Sequence, residues 1–162
     1  MNRPELFEKS VSTLLDAYNN RTLEHGSCYA CAVGNLCNHA AKELNFSNHI
    51  WNNVFMTHSD IHRQYFYVKE ELGFERQIEY EKALKLISKT GYTAEELAAI
   101  EYAFESSIAN DYERYTTRDK VKGQYIGLCA VLEVLKEIHE KEEITKEQKQ
   151  LDSIYESKLA LV

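Results

Sequence analysis

One proline and six glycines in 162 residues leave too little turn punctuation for a fold of many short strands, each of which needs a reversal. The segments between these residues carry apolar side chains mostly at helical spacing. The expected fold is therefore all-α, a single compact helical domain over residues 1–162 with six to eight helices. A chain of this length buries a sizeable core without staples.

The first helix should run from about Pro4 to Tyr18, capped by Asn2 or Arg3, with Phe7, Val11, Leu14 and Tyr18 on one face. Ser27 is the expected N-cap of a second helix ending near Asn45, and Asn48–Met56 suits a short third one carrying Trp51. Ser59 can cap a fourth that ends at Gly73, although its run Tyr65-Phe66-Tyr67-Val68 also suits a strand. After Gly73 the apolar register shifts to Phe74, Ile78, Leu84 and Ile87 and stops at Gly91. Thr93-Ala-Glu-Glu96 is a capping box, opening a helix that turns Leu97, Ile100, Phe104 and Ile108 inward. Thr116 or Thr117 starts the most apolar helix, 119 to about 140; the Lys- and Glu-rich stretch 136–150 reads as a solvated hinge before a last helix through Leu159.

Twenty-six acidic against 19 basic residues give a formal charge of −7. No run of Lys and Arg forms the basic patch that a general nucleic-acid-binding surface requires. The start, MNRPELFEKS, lacks the apolar stretch of a secretion signal, and no 18-residue apolar segment occurs. A soluble cytoplasmic protein without a membrane partner is expected. Thiols stay reduced in that compartment, which leaves the four cysteines as packing, metal or reactive residues.

Three of those cysteines lie in EHGSCYACAVGNLCNHAAKEL, residues 24–44. On a helix beginning at Ser27, Ala30, Gly34, Cys37 and Ala41 share a narrow stripe, flanked by Val33, Leu36, Ala40 and Leu44. Cys37 then reads as structural. Small residues recur at Gly123, Gly127 and Ala130, so the two small-residue seams are expected to pack together, with Cys129 as an inert buried thiol. Cys28 and Cys31 would sit in the first turn, beside Asn35, Asn38, His39 and Lys42, where free N–H groups stabilise a thiolate.

The spacing Asp16-x11-Cys28-x2-Cys31-x3-Asn35 resembles that of the AhpD-like peroxidase family, helical proteins with the motif Glu-x11-Cys-x2-Cys-x3-His. The resemblance implies a redox pair at Cys28 and Cys31; Asp16 and Asn35 replace the family's proton-carrying Glu and His, and an amide does not relay protons as imidazole does. The run Cys-Ala-Val-Gly-Asn, with Gly-Tyr-Thr-Ala-Glu-Glu-Leu at 91–97, is similar to small uncharacterised helical proteins of bacteriophages and mobile elements. That likeness implies an accessory protein and brings no catalytic residue or ligand with it.

His25-x2-Cys28-x2-Cys31 offers three zinc ligands, but His39, on the thiol side, lies about 12 Å beyond Cys31 along the helix. His58 and His62, and the pair Glu101 and Glu105, read as ordinary surface or half-buried residues and a solvated face. Tyr112, Arg114 and Tyr115 precede the apolar helix and suit a polar pocket or a protein contact. No phosphate loop, dinucleotide fingerprint or nucleophile elbow is present.

The leading expectation is an accessory protein that binds a protein or small molecule without catalysis, metal or cofactor, through Asn35, His39, Tyr112, Arg114 and Tyr115. A Cys28–Cys31 dithiol oxidoreductase is the alternative, and a small structural zinc protein the third. Trp51 and Tyr65–Tyr67 offer an apolar surface for a homo-oligomer.

Overall fold

The computed structural model describes residues 2–54, 74–107 and 117–159, with side chains over 2–52, 78–107 and 119–141. Among the described residues there are five α-helices, one 3₁₀ segment and no strand. The all-α expectation holds at this level. The predicted helix and alternative strand at 59–73, together with His58, His62 and the tyrosines at 65 and 67, lie outside the described residues, as do Ile108, Tyr112, Arg114 and Tyr115.

Helix α1 spans Arg3–Asn19, and Asn2 caps it: its side chain accepts the Glu5 N–H at 2.9 Å while Glu5 takes the Asn2 N–H. The buried stripe is Leu6, Ser10, Leu14 and Ala17, with Phe7, Val11 and Tyr18 only half-buried, so the inner face is rotated from the expected one. The buried Ser10 hydroxyl is compatible with this face because it lies 2.7 Å from the Tyr92 hydroxyl. Helix α2 spans Ala32–Leu44, and Asn45 closes it in the left-handed region at φ 55°. The 3₁₀ segment Asn48–Val54 follows, burying Ile50 and Trp51.

Helix α3, Phe74–Thr90, stops at Gly91, whose φ of +90° favours glycine. It buries Tyr80, Ala83, Leu86 and Ile87, whereas Ile78 is exposed rather than part of the inner face. Helix α4, Ala94–Glu105, has the predicted capping box and turns Leu97, Ile100 and Phe104 into the core. Arg3 ties the two ends of the chain's first 96 residues together, pairing with Glu96 at 2.7 Å and donating to the Gly91 carbonyl at 3.0 Å.

Helix α5 is continuous over 43 residues, Thr117–Leu159, a length of about 64 Å. The predicted hinge is absent. Residues 136–150 contain no Gly or Pro and many strong helix formers, and Lys136 and Glu140 approach to 3.8 Å across one turn. This merging is one reason the described helices number fewer than six to eight.

The core is one cluster centred on Phe104, Leu14, Leu23, Leu86, Leu97 and Val131. Helix α5 packs chiefly on α4 and α1, whereas α2 packs on the 3₁₀ segment, α3, α1 and α4. The two small-residue seams therefore serve different neighbours. A Cβ on Gly127 would meet the Phe104 ring at 2.7 Å, and one on Gly34 would meet the Cys28 carbonyl oxygen at 2.5 Å.

Candidate functional site

The cysteine segment folds as a locked turn before it becomes a helix. Ser27 does not cap α2; its carbonyl accepts the N–H groups of Ala30 and Cys31 at 2.9 and 2.7 Å. Cys31 is the N-cap instead, its sulfur accepting the Gly34 N–H at 3.3 Å. The shift follows from tertiary partners of the turn's carbonyls. Asn35 donates to the carbonyls of Thr22, Ala30 and Cys31, Asn48 to those of Tyr29 and Gly34, and the Trp51 indole to that of Cys28. With these acceptors satisfied outside a helix, the turn persists. Trp51 is thus a buried strut, not the exposed oligomer contact expected of it.

Helix α4 supplies two carboxylates to the same region. Glu105 accepts the Gly26 N–H at 3.0 Å through both oxygens, where Gly26 sits at φ +69°. Glu101 accepts the Val33 N–H at 3.4 Å in the first turn of α2, where a helix favours negative charge. Neither belongs to the solvated face expected for this pair. Burial pushes the Glu101 carboxyl up to about 7, and Glu105 adds to that, while hydrogen bonds from Cys31 and Val33 oppose it. His25 is buried against Phe104, ring centroids 4.0 Å apart, and its Nε2–H donates to the Phe104 carbonyl at 2.9 Å. Burial lowers its pKa.

The thiols divide sharply. Cys31 and Cys37 are 0% exposed, so the expected placement of Cys31 on the polar side of α2 is corrected. Burial, with Glu101 nearby, raises both: Cys37 to about 12 and Cys31 further still, despite its place at a helix N-terminus. Cys28 is half-buried, and Cys129 is exposed rather than the buried thiol expected. Alkylation of the native protein should modify Cys129 first and Cys28 next, with Cys31 and Cys37 reacting only as fast as the protein opens. Site-resolved mass spectrometry would expose any early labelling of Cys31.

The polar side of α2 faces a second feature, a groove of about 470 Å³. Helix α1 contributes Lys9, Ser10 and Thr13; α2 contributes Asn38, His39, Lys42 and Glu43; Lys89 and Tyr92 close the far side. Glu43 sits between two of these groups, one oxygen 3.0 Å from His39 Nε2 and the other 2.9 Å from Lys89 Nζ. These contacts, chiefly the hydrogen bond to Lys89, hold its carboxyl below the usual range, with Lys9 adding a smaller pull.

Of the residues predicted to bind a partner, His39 and Asn35 reach this groove, although Asn35 is 7% exposed and its amide is committed to the cysteine turn. Cys28 and Cys31 belong to the turn, and Asp16 lies on the exposed side of α1. Among the described residues no group of three or more His, Cys, Asp or Glu side chains is placed to hold a metal ion. None of the described helices is long and apolar enough to cross a membrane. Lys9, Glu43 and Lys89 were not singled out by sequence; the His39–Glu43 spacing of four was the one local signal available. No family model matches the chain, and neither a curated protein nor a solved structure matches it.

Proposed function

We propose that this protein is a small cytoplasmic accessory protein that acts by binding a small polar molecule in the groove between α1 and α2, without catalysis of its own. The observation that carries the reading is the groove itself: its volume suits a small ligand, and hydroxyl, amide, imidazole and ammonium groups from separate helices converge on it. The cysteine turn supports a different role. Its carbonyls are engaged by Asn35, Asn48 and Trp51, and the Cys31 thiol is held protonated by burial, which suits a fixed joint between α2 and α4.

A thermal-shift screen of polar metabolites tests the reading. A ligand present at about 100 times its Kd should raise the midpoint by about 5 to 10 °C. Thr13→Trp, which fills the groove from α1, should abolish that rise while leaving the unliganded protein folded. Stabilisation that survives in Thr13→Trp would place the ligand elsewhere and defeat the proposal.

A further inference from the structure

The charge of the groove runs against that of the chain. The whole sequence carries −7, yet this concavity is lined by Lys9, Lys42 and Lys89, with His39 beside them and, among the described residues, Glu43 the one acid in the lining. The lysines come from three different helices, α1, α2 and α3, so the concentration of positive charge is a product of the fold. A recess in which one sign of charge predominates focuses potential and raises the local concentration of the opposite ion.

Glu43 shows where such an ion would sit. Each of its two oxygens meets one nitrogen, Lys89 Nζ on one side and His39 Nε2 on the other. The side chains of Lys89, His39 and Glu43 are 51%, 64% and 42% exposed. Ion pairs this exposed are screened by water and contribute little, so the Glu43 carboxylate turns out to solvent easily. The cations would then face an open polar recess flanked by the Thr13 hydroxyl and the Asn38 amide.

Resting on the groove reading above, we infer that the ligand is a small organic anion, a phosphorylated or carboxylated polar metabolite, and that Glu43 occupies the position of its anionic group in the free protein. A phosphate monoester fits because it brings more charge and one more acceptor oxygen than the carboxylate it displaces. A di- or tricarboxylate satisfies the same cations. Removing the Glu43 charge makes the recess more receptive, and removing Lys89 or Lys9 makes it less so.

The test is a titration of the ¹⁵N-labelled full chain with inorganic phosphate and with citrate, read by amide chemical shifts and matched for ionic strength with sodium chloride. Saturable shifts of residues 9, 38–43 and 89 are expected with one or both anions, the stronger response distinguishing phosphoryl from carboxylate recognition. Glu43→Gln should bind about 10-fold more tightly, and Lys89→Gln and Lys9→Gln about 10-fold more weakly, the scale of a charge-assisted hydrogen bond. Shifts no larger than those from chloride, in both the wild type and Glu43→Gln, would overturn the inference. A neutral polyol that shifts the same residues while both anions stay silent would retain the groove as the binding site and overturn only the anionic class. Failure of the polyol and both anions alike, joined to an empty thermal-shift screen, would remove both proposals.

Discussion

Gly34→Ala should destabilise the protein by about 3 kcal/mol, although alanine is the better helix former. Local propensity alone predicts the opposite sign, a gain of about 1 kcal/mol. Tertiary geometry decides the matter. The new Cβ would lie 2.5 Å from the Cys28 carbonyl oxygen and 2.8 Å from the carbonyl carbon and oxygen of Tyr29. These are backbone atoms of a turn whose Cys28 and Tyr29 carbonyls are bonded to Trp51 and Asn48, so they cannot swing aside as a side-chain end would. Relief requires lifting the turn from α2, with loss of those bonds. The thermal midpoint should fall by about 6 to 12 °C for a chain of this size. A variant as stable as the parent in urea would show that the turn does not press on Gly34.

The second large effect is a pH dependence centred on Glu101. Its carboxyl, ordinarily near 4.5, is raised to about 7 by burial at the start of α2. Below 4.5 the group is protonated in folded and unfolded chains alike and contributes nothing. Between 4.5 and about 7 the folded protein holds the extra proton, so stability falls as pH rises through this window. Above it the full cost of a buried carboxylate applies, at most about 3 kcal/mol and less where solvent reaches the half-buried side chain. Glu101→Gln keeps an acceptor for the Val33 N–H and the Cys31 thiol while removing the charge. It should match the wild type near pH 4.5 and exceed it at pH 8 by about 2 kcal/mol. His25, with its lowered pKa, pulls in the other direction below about 6.5, but its contribution cancels in the difference between the two proteins. Denaturant midpoints at four pH values would decide: a gap independent of pH means that Glu101 does not change its protonation in the folded state over this range.

Much of the fold was legible because its signals are local. The Thr93–Glu96 capping box and the stop at Gly91 act within three residues or at a single φ and were evident in the sequence, whereas the first cap was narrowed only to Asn2 or Arg3. The hinge at 136–150 was misread because a highly charged, solvated sequence suits a loop by polarity and a helix by propensity; without Gly or Pro the helix won. The start of α2 was misread for a different reason. Ser27 is a sound cap on local grounds, but the carbonyls after it find partners on Asn35, Asn48 and Trp51, the last of these 23 residues away from Cys28.

The candidate site was less legible. Its polar α2 face, Asn38, His39 and Lys42, follows from a rotation of 100° per residue and was visible in the sequence. Its other members are separated by long stretches of chain: Lys9 lies 33 residues before Lys42, and Lys89 lies 47 after it. Sequence alone showed no basic cluster, and along the chain there is none. By itself the sequence determined the helical class, the Thr93–Glu96 cap, the stop at Gly91 and the polar side of α2 at Asn38, His39 and Lys42, because propensity, capping and periodicity act within a few turns. Only the tertiary structure decided that Glu101 and Glu105 brace the cysteine turn, that Cys31 is sealed while Cys129 is exposed, and that three distant lysines share one groove. Those arrangements depend on which helices pack against which, and packing is a property of the whole buried core.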